Sequence, residues 1–336
     1  MEQDVAEFWR TIVPRWLLGE LIFFVADRRI ADLIGRGREG AAVEKVAAQA
    51  NLNAEALRRV LRALAAHGIF RAAGEDRYAL TQLAEPLLSD HPASPRAYLA
   101  LGAIMMHPAL TALAHTLETG QPAFDAQFGG SAFDYMRAHP TVATEFAEAM
   151  TVTTRRIEQA LLDADPFGEF GSFVDVGGNH GSLAGLLLER HPRVRGILFD
   201  LPEVVEEAER RWSSRPCAER LHFAGGSFFE AVPEGADLYL LKQILHDWDD
   251  GRSIEILNVI RRAIPPLGRL AIVEMVLPEE PLPHPGWMYD MLMLTMTGGR
   301  ERTASAYASL LKAAGFRLER VVPTASPASV VIAAPA

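Results

Sequence analysis

The stretch Ser172-Phe173-Val174-Asp175-Val176-Gly177-Gly178-Asn179-His180-Gly181 constrains this chain more than any other. A short apolar run ends in an acidic residue, opens at once into glycines, and continues as the helical pattern Ser182–Arg190. Strand, glycine turn and helix in that order bring a ligand close to bare backbone at a helix N-terminus. The glycines fall at 177, 178 and 181, so the turn is not the Gly-x-Gly-x-x-Gly of a dinucleotide site. No Gly-Lys-Ser/Thr follows to hold a phosphate and a metal, so it is not a P-loop either. A glycine turn without a basic residue suits a nucleoside ligand lacking a phosphate chain. Such turns also serve as plain punctuation between strand and helix.

Strand-helix alternation continues from this point. Strands are predicted at 173–176, 196–200, 221–224, 237–241 and 269–276, each followed by a helical pattern or a loop. Runs 316–322 and 330–333 suit an antiparallel pair at the sheet edge. The fold class is therefore α/β, a doubly wound, mostly parallel sheet. The first hundred residues read differently. A stretch at 16–34 is amphipathic or buried, a short helix covers 43–50, and Asn53 caps a helix over 54–67. There Leu57, Val60, Leu61, Leu64 and Ala65 form one buried face. Runs 69–71 and 77–80, hinged on Gly74-Glu75-Asp76, complete a winged helix. Residues 95–165 look helical, with a loop at 121–131. The expected division is a winged-helix domain over 1–100, then a helical linker and the sheet domain over 101–336.

Charge narrows the partners. Residues 1–100 hold 13 Lys/Arg and 13 Asp/Glu, while the remaining 20 and 30 carry the whole net charge of −10. An acidic second half argues against nucleic-acid backbones and is compatible with a cationic ligand. The winged helix does place Arg58, Arg59 and Arg62 on its presumed recognition helix. Its hairpin tip, however, carries Glu75 and Asp76 where a wing would meet phosphates, which favours a packing or dimerisation role with solvated arginines. The single cysteine, Cys217, rules out an internal disulfide framework and fits a reducing compartment. The start of the chain carries Glu2, Asp4 and Glu7 and does not read as a secretory leader. The apolar run 16–26 is too short to span a bilayer, so a cytoplasmic location is expected.

Ligands of doubly wound sheets lie at the carboxyl ends of the strands. Those ends carry Asp175 and the glycine turn, then Asp200, Gly226-Ser227-Phe228, Lys242 and Glu274. From the end of the second strand Asp200 can accept both hydroxyls of a ribose, or cap the following helix. Asp175 can accept from an ammonium group or brace the turn. His246, just past a strand end, has the ordinary pKa to take a proton from a substrate hydroxyl, although a lone histidine is often structural. Asp249 or Asp250 caps the next helix. No Cys/His cluster or recognisable metal-ligand spacing appears, so no metal is expected.

Taken in order, Val-Asp-Val-Gly-Gly-x-x-Gly, Phe199-Asp200-Leu201-Pro202, Lys242, His246-Asp247-Trp248 and Gly298-Gly299-Arg300-Glu301-Arg302-Thr303 resemble a family. It is that of the S-adenosylmethionine-dependent O-methyltransferases of the caffeic-acid and bacterial polyketide or phenazine type. The resemblance covers nearly the whole chain. It implies a Rossmann-like methyltransferase sheet behind a winged-helix dimerisation domain, a homodimer, and methyl transfer to a hydroxyl of a planar aromatic in secondary metabolism. His246 then looks like the general base, flanked by Glu274 and Glu301. Asp175, Gly177, Gly178, Gly181, Asp200, Leu201, Ser227, Phe228 and Lys242 resemble the cofactor site. Phe146 and Met150 resemble the helix against the methionine end of the cofactor, and Met150, Trp287 and Met291 resemble acceptor-pocket residues. A methionine-rich segment at helical spacing is otherwise plain core. Two departures stand out: Ser227 replaces a common Asp, and Asn179-His180 replaces a further glycine. Two rivals are a ligand-sensing DNA-binding regulator and a same-fold enzyme performing hydroxylation or decarboxylation without methyl transfer.

Overall fold

A computed structural model describes residues 2–213, 215 and 217–336; Met1, where the leader reading begins, lies outside the described residues. The chain forms two compact units, residues 1–111 with 133–153 and residues 112–132 with 154–336. In the first, helices Val43–Ala50 and Ala54–Ala66 precede the hairpin Phe70–Ala72 and Arg77–Leu80, which Ala41–Ala42 extends to three strands. Asn53 Oδ1 caps the second helix by accepting from Ala56 N at 2.9 Å, and Leu57, Leu61 and Leu64 form its buried face. Arg58 is not solvated: it bonds Glu44 at 2.6 Å, Asp76 at 2.7 Å, and also Glu55. The 16–34 stretch is broken, because Arg29 at φ +51° separates helix Val13–Asp27 from Ile30–Ile34.

The second unit is built on seven strands: β1 Ser172–Val176, β2 Arg195–Asp200, β3 Leu221–Gly225, β4 Leu238–Lys242, β5 Arg269–Glu274, β6 Phe316–Pro323 and β7 Ser329–Pro335. Their order is β6-β7-β5-β4-β1-β2-β3, with the β6–β7 and β7–β5 pairings antiparallel and the rest parallel. Alternation along each strand sorts side chains onto two faces. Phe173, Leu198, Leu238, Leu240, Ala271 and Val273 pack with helices Ser182–Arg190 and Pro202–Trp212 and with Ile157 and Leu161. Val174, Val176, Tyr239, Leu241, Leu270 and Ile272 pack with helices Asp250–Ala263 and Ala304–Ala313.

That parity places the polar groups at the strand ends. Asp175 and Lys242 share the Phe173 face, while Glu274 continues the Leu270 and Ile272 face. The expected strand 269–276 ends at Glu274; Val276–Leu277 instead pairs in parallel with Arg302–Thr303, bringing the 298–303 segment beside the rim. The expected loop 121–131 contains helix Ala123–Phe128. Pro122 opens it, Gly129 at φ +79° closes it, and the complete burial of Ala123 and Phe124 supplies the packing that turn-forming residues concealed. No single helix among the described residues is long and apolar enough to cross a membrane.

Candidate active site

The glycine turn hangs on β2. Gly177 N donates to Phe199 O at 2.8 Å, and Asn179 N donates to Asp200 Oδ2 at 2.8 Å. Gly177 lies at φ +70°, and a Cβ there would sit 2.5 Å from Ile244 Cδ1, so only glycine fits without displacing that chain. Asn179 adopts φ +51°, the left-handed conformation that asparagine tolerates better than most residues. Its departure from glycine therefore leaves the turn's path intact. Asp200 Oδ1 accepts from Leu201 N at 2.7 Å, so the carboxylate braces the turn and the next loop rather than capping helix Pro202–Trp212. Burial holds it above the usual carboxylate range, partly offset by those two amides. Ser227 Oγ accepts from Phe229 N at 3.3 Å, Phe228 lies 6.3 Å edge-on from Trp248, and Leu201 is exposed.

On the Phe173 face, Asp175 is 1 % exposed and its Oδ2 has no partner. Burial raises its pKa to about 7 against the pull of Lys242, with Glu158 and Asp200 adding to the rise. Lys242 Nζ bonds Glu158 Oε1 at 2.7 Å, and Glu158, wholly buried, also takes a hydrogen bond from Ser182 Oγ at 2.5 Å. Glu158 escaped the sequence reading. Its signal was a carboxylate within the inward stripe formed by Thr154, Ile157 and Leu161.

On the opposite face, the fold brings His246, Glu274 and Glu301 together. His246 Nδ1 lies 3.0 Å from Glu301 Oε1 and 3.5 Å from Glu274 Oε2, and Nε2 is 3.8 Å from Asp247 Oδ1. Burial alone would depress the imidazole, but Glu274, Asp247 and Glu301 outweigh it and raise the pKa to about 10. Burial likewise holds Glu274 above the usual carboxylate range, against the pull of His246. The three ligand-capable atoms lie within 4.8 Å of one another, close enough to meet a metal ion, and the grouping is the one that the resemblance implied.

Two elements fix the histidine. Glu274 Oε1 accepts from Ile244 N at 2.9 Å and Leu245 N at 3.0 Å, holding the one-turn helix Leu245–Asp247. The 298–302 segment clamps it from outside. Arg300 N donates to His246 O at 2.8 Å, and buried Arg302 donates to Leu245 O at 2.8 Å and Trp248 O at 2.9 Å. A Cβ on Gly299 would stand 2.0 Å from His246 O, so the two backbones touch. Asp249 Oδ1, accepting from Arg252 N at 2.8 Å, caps helix Asp250–Ala263.

Among the described residues, the buried side-chain atoms without a partner are Thr116 Oγ1, Asp175 Oδ2, Gln243 Oε1, Glu274 Oε2, Glu301 Oε2 and Tyr307 Oη. Four of these are oxygens at or beside the carboxyl-end rim. Gln243, at φ +55°, is a second residue the sequence reading missed. The rim is rich in acceptors and short of donors, so it suits a ligand bringing positive charge and hydroxyl or amino hydrogens. Trp287 and Met291 lie on helix Gly286–Met296, where Trp287 Nε1 donates to Leu282 O at 2.9 Å and Met291 is exposed. Met150 and Phe146 are half-buried on helix Pro140–Ala164, in its part belonging to the first unit.

The O-methyltransferase domain model matches residues 110–317, and the O-methyltransferase dimerisation domain model matches residues 17–90. The chain belongs to the O-methyltransferase family. This O-methyltransferase is 40 % identical to the phenazine O-methyltransferase PhzM of Lysobacter antibioticus, over 99 % of this chain and 95 % of that protein. It superposes on the mitomycin 7-O-methyltransferase MmcR with a TM-score of 0.93, at 32 % identity, covering 100 % and 99 % of the two chains. NcsB1 of neocarzinostatin biosynthesis, solved with S-adenosylmethionine and 2-hydroxy-5-methyl naphthoic acid, matches at TM-score 0.86 and 30 % identity over 95 % and 96 %. These relatives do not favour the regulator reading. In this O-methyltransferase, Gly299→Ala is expected to push the His246 turn aside. Turnover should fall by about 10²-fold, the cost of roughly 1 Å of misplacement. Circular dichroism should find the fold kept; an unchanged rate would show that the contact positions nothing.

Proposed function

We propose that the enzyme transfers a methyl group from S-adenosylmethionine to a hydroxyl of a planar aromatic small molecule, with His246 as general base. The observation that carries this reading is the imidazole held between two buried carboxylates at the rim where the glycine turn opens. The acceptor-rich rim fits the cofactor: it offers orphaned carboxylate oxygen to a cationic ligand, and the turn has no basic residue for phosphate. Gly177, Gly178 and Gly181 with Asp175, Asp200, Leu201, Ser227, Phe228 and Lys242 would hold it. When bound, the cofactor supplies a methyl group already activated on positively charged sulfur.

His246 handles the proton. Its Nδ1–H donates to Glu301, which leaves Nε2 to accept from the acceptor hydroxyl. A phenol has an ordinary pKa of about 10, so an imidazole raised by carboxylates is well matched to take its proton as attack begins. Glu274 and Glu301 act through His246, fixing its tautomer and steadying the imidazolium. A metal forms no part of this reading, because Nδ1 is already engaged at hydrogen-bond distance. Trp287 and Met291 are assigned to the acceptor pocket, and phenazine and naphthoate methylation among the relatives supports an aromatic acceptor.

Residues 1–100 are read as the dimerisation half of a homodimer. An exposed apolar face at Val5, Phe8, Trp9, Ile12 and Trp16 supports this, following helical spacing up to the matched dimerisation domain. The three carboxylates around Arg58 support a packing role over a nucleic-acid one. The single, buried Cys217 agrees with a cytoplasmic enzyme. A monomer in sedimentation equilibrium at micromolar concentration would remove the homodimer.

With labelled cofactor and a panel of phenols, His246→Ala should lower turnover by about 10² to 10⁴-fold while cofactor binding persists. The base must be neutral to act and its pKa is raised, so the rate should climb with pH through neutrality. Glu301→Gln, removing a carboxylate from the imidazole, should move that rise to lower pH. Full activity of His246→Ala, or loss of wild-type activity in EDTA, would overturn the assignment. Asp200→Ala should weaken cofactor binding by calorimetry, and unchanged affinity would take Asp200 out of the site.

A further inference from the structure

Two buried carboxylates, a half-buried third and one lysine meet on the Phe173 face of the rim. Asp175 stands at the end of β1, Asp200 at the end of β2, Lys242 at the end of β4, and Glu158 reaches in from helix Pro140–Ala164. Lysine is the natural partner for the unpaired Oδ2 of Asp175, yet its ammonium sits 2.7 Å from Glu158 Oε1. Glu158 is 0 % exposed, and its other oxygen is taken by Ser182 Oγ at the start of the helix that follows the glycine turn. Nothing in the transfer chemistry uses Glu158. Its consequence is electrostatic: it ties into an ion pair the ammonium that pulls on Asp175 from nearby, and among these four groups three carboxyls face one cation.

We propose that Glu158 is a positioning residue that sets the enzyme's preference for the charged methyl donor over the uncharged product, by sequestering Lys242 from Asp175. S-adenosylmethionine carries one positive charge more than S-adenosylhomocysteine, on sulfur, and the two are otherwise alike at this rim. A surplus of buried negative charge therefore favours the donor selectively, since charges interact strongly where water is excluded. The charged groups bearing on Asp175 are Lys242, Glu158 and Asp200, and the displaced pKa of Asp175 agrees with a carboxylate still short of a cation. The inference rests on the proposed cofactor.

Calorimetric titration with each of the two ligands tests it without turnover. Glu158→Gln keeps the volume and the hydrogen-bonding group but frees Lys242. The ratio of donor to product affinity should fall on the order of tenfold, the effect of one charge at an effective dielectric of about 20. Lys242→Met should raise that ratio, and the double variant should return it toward the wild-type value. A structural role for Glu158 would weaken both ligands alike and leave the ratio unmoved, which overturns the proposal. If Glu158→Gln does not fold, the Lys242→Met and double variants decide, and an unchanged ratio in both overturns it. Failure of the wild-type protein to bind either ligand would instead strike the cofactor assignment.

Discussion

Carboxyl groups drawn in at the carboxyl ends of β1, β2 and β5 are the constraint on which the rest of the structure depends. Asp175, Glu158 and Glu274 are each at most 1 % exposed, and Glu301 is 5 % exposed. Carboxylates are buried at a cost unless hydrogen bonds or cations compensate them. Here compensation is partial: backbone amides serve Glu274 and Asp200, Lys242 serves Glu158, and His246 is shared. The uncompensated remainder is what the proposed cationic, hydrogen-donating ligands would satisfy.

The two faces of the sheet divide the work. On one, the glycine turn, Asp175 and Asp200 form a cradle whose charge balance depends on Glu158 and Lys242. On the other, Glu274 and the 298–302 segment grip the turn carrying His246. The grip falls on the turn's main chain: the His246 carbonyl is bonded by Arg300 N, the Leu245 and Trp248 carbonyls by the Arg302 guanidinium, and Gly299 lies in contact. An imidazole aimed by main chain has little freedom to stray, which a reaction dependent on alignment requires.

The membership established by the matched domains agrees with this division. The strand order, with β7 inserted antiparallel beside β5, places Glu274 next to Ser329 and lets Val276–Leu277 pair with Arg302–Thr303. That small parallel pair carries Glu301 back across the rim to His246, although 55 residues separate the two in the chain. Sheet topology, more than any local motif, brings His246, Glu274 and Glu301 together.

Much of this was legible in the sequence because it is local. The 172–181 turn, the seven strands, the Asn53 cap and the winged-helix hairpin each follow from neighbouring residues whose spacing has one physical reading. The ordered motifs also carried the family and pointed to His246, Glu274 and Glu301. Tertiary structure alone decided what is non-local. It buried Glu158 against Lys242, left Asp175 Oδ2 and Gln243 Oε1 without partners, and engaged Arg58 with three carboxylates. It also turned 123–128 into a helix because Phe124 found a core to enter. Spacing along a chain determines period and turn, whereas desolvation and charge pairing depend on which distant groups the packed faces bring together.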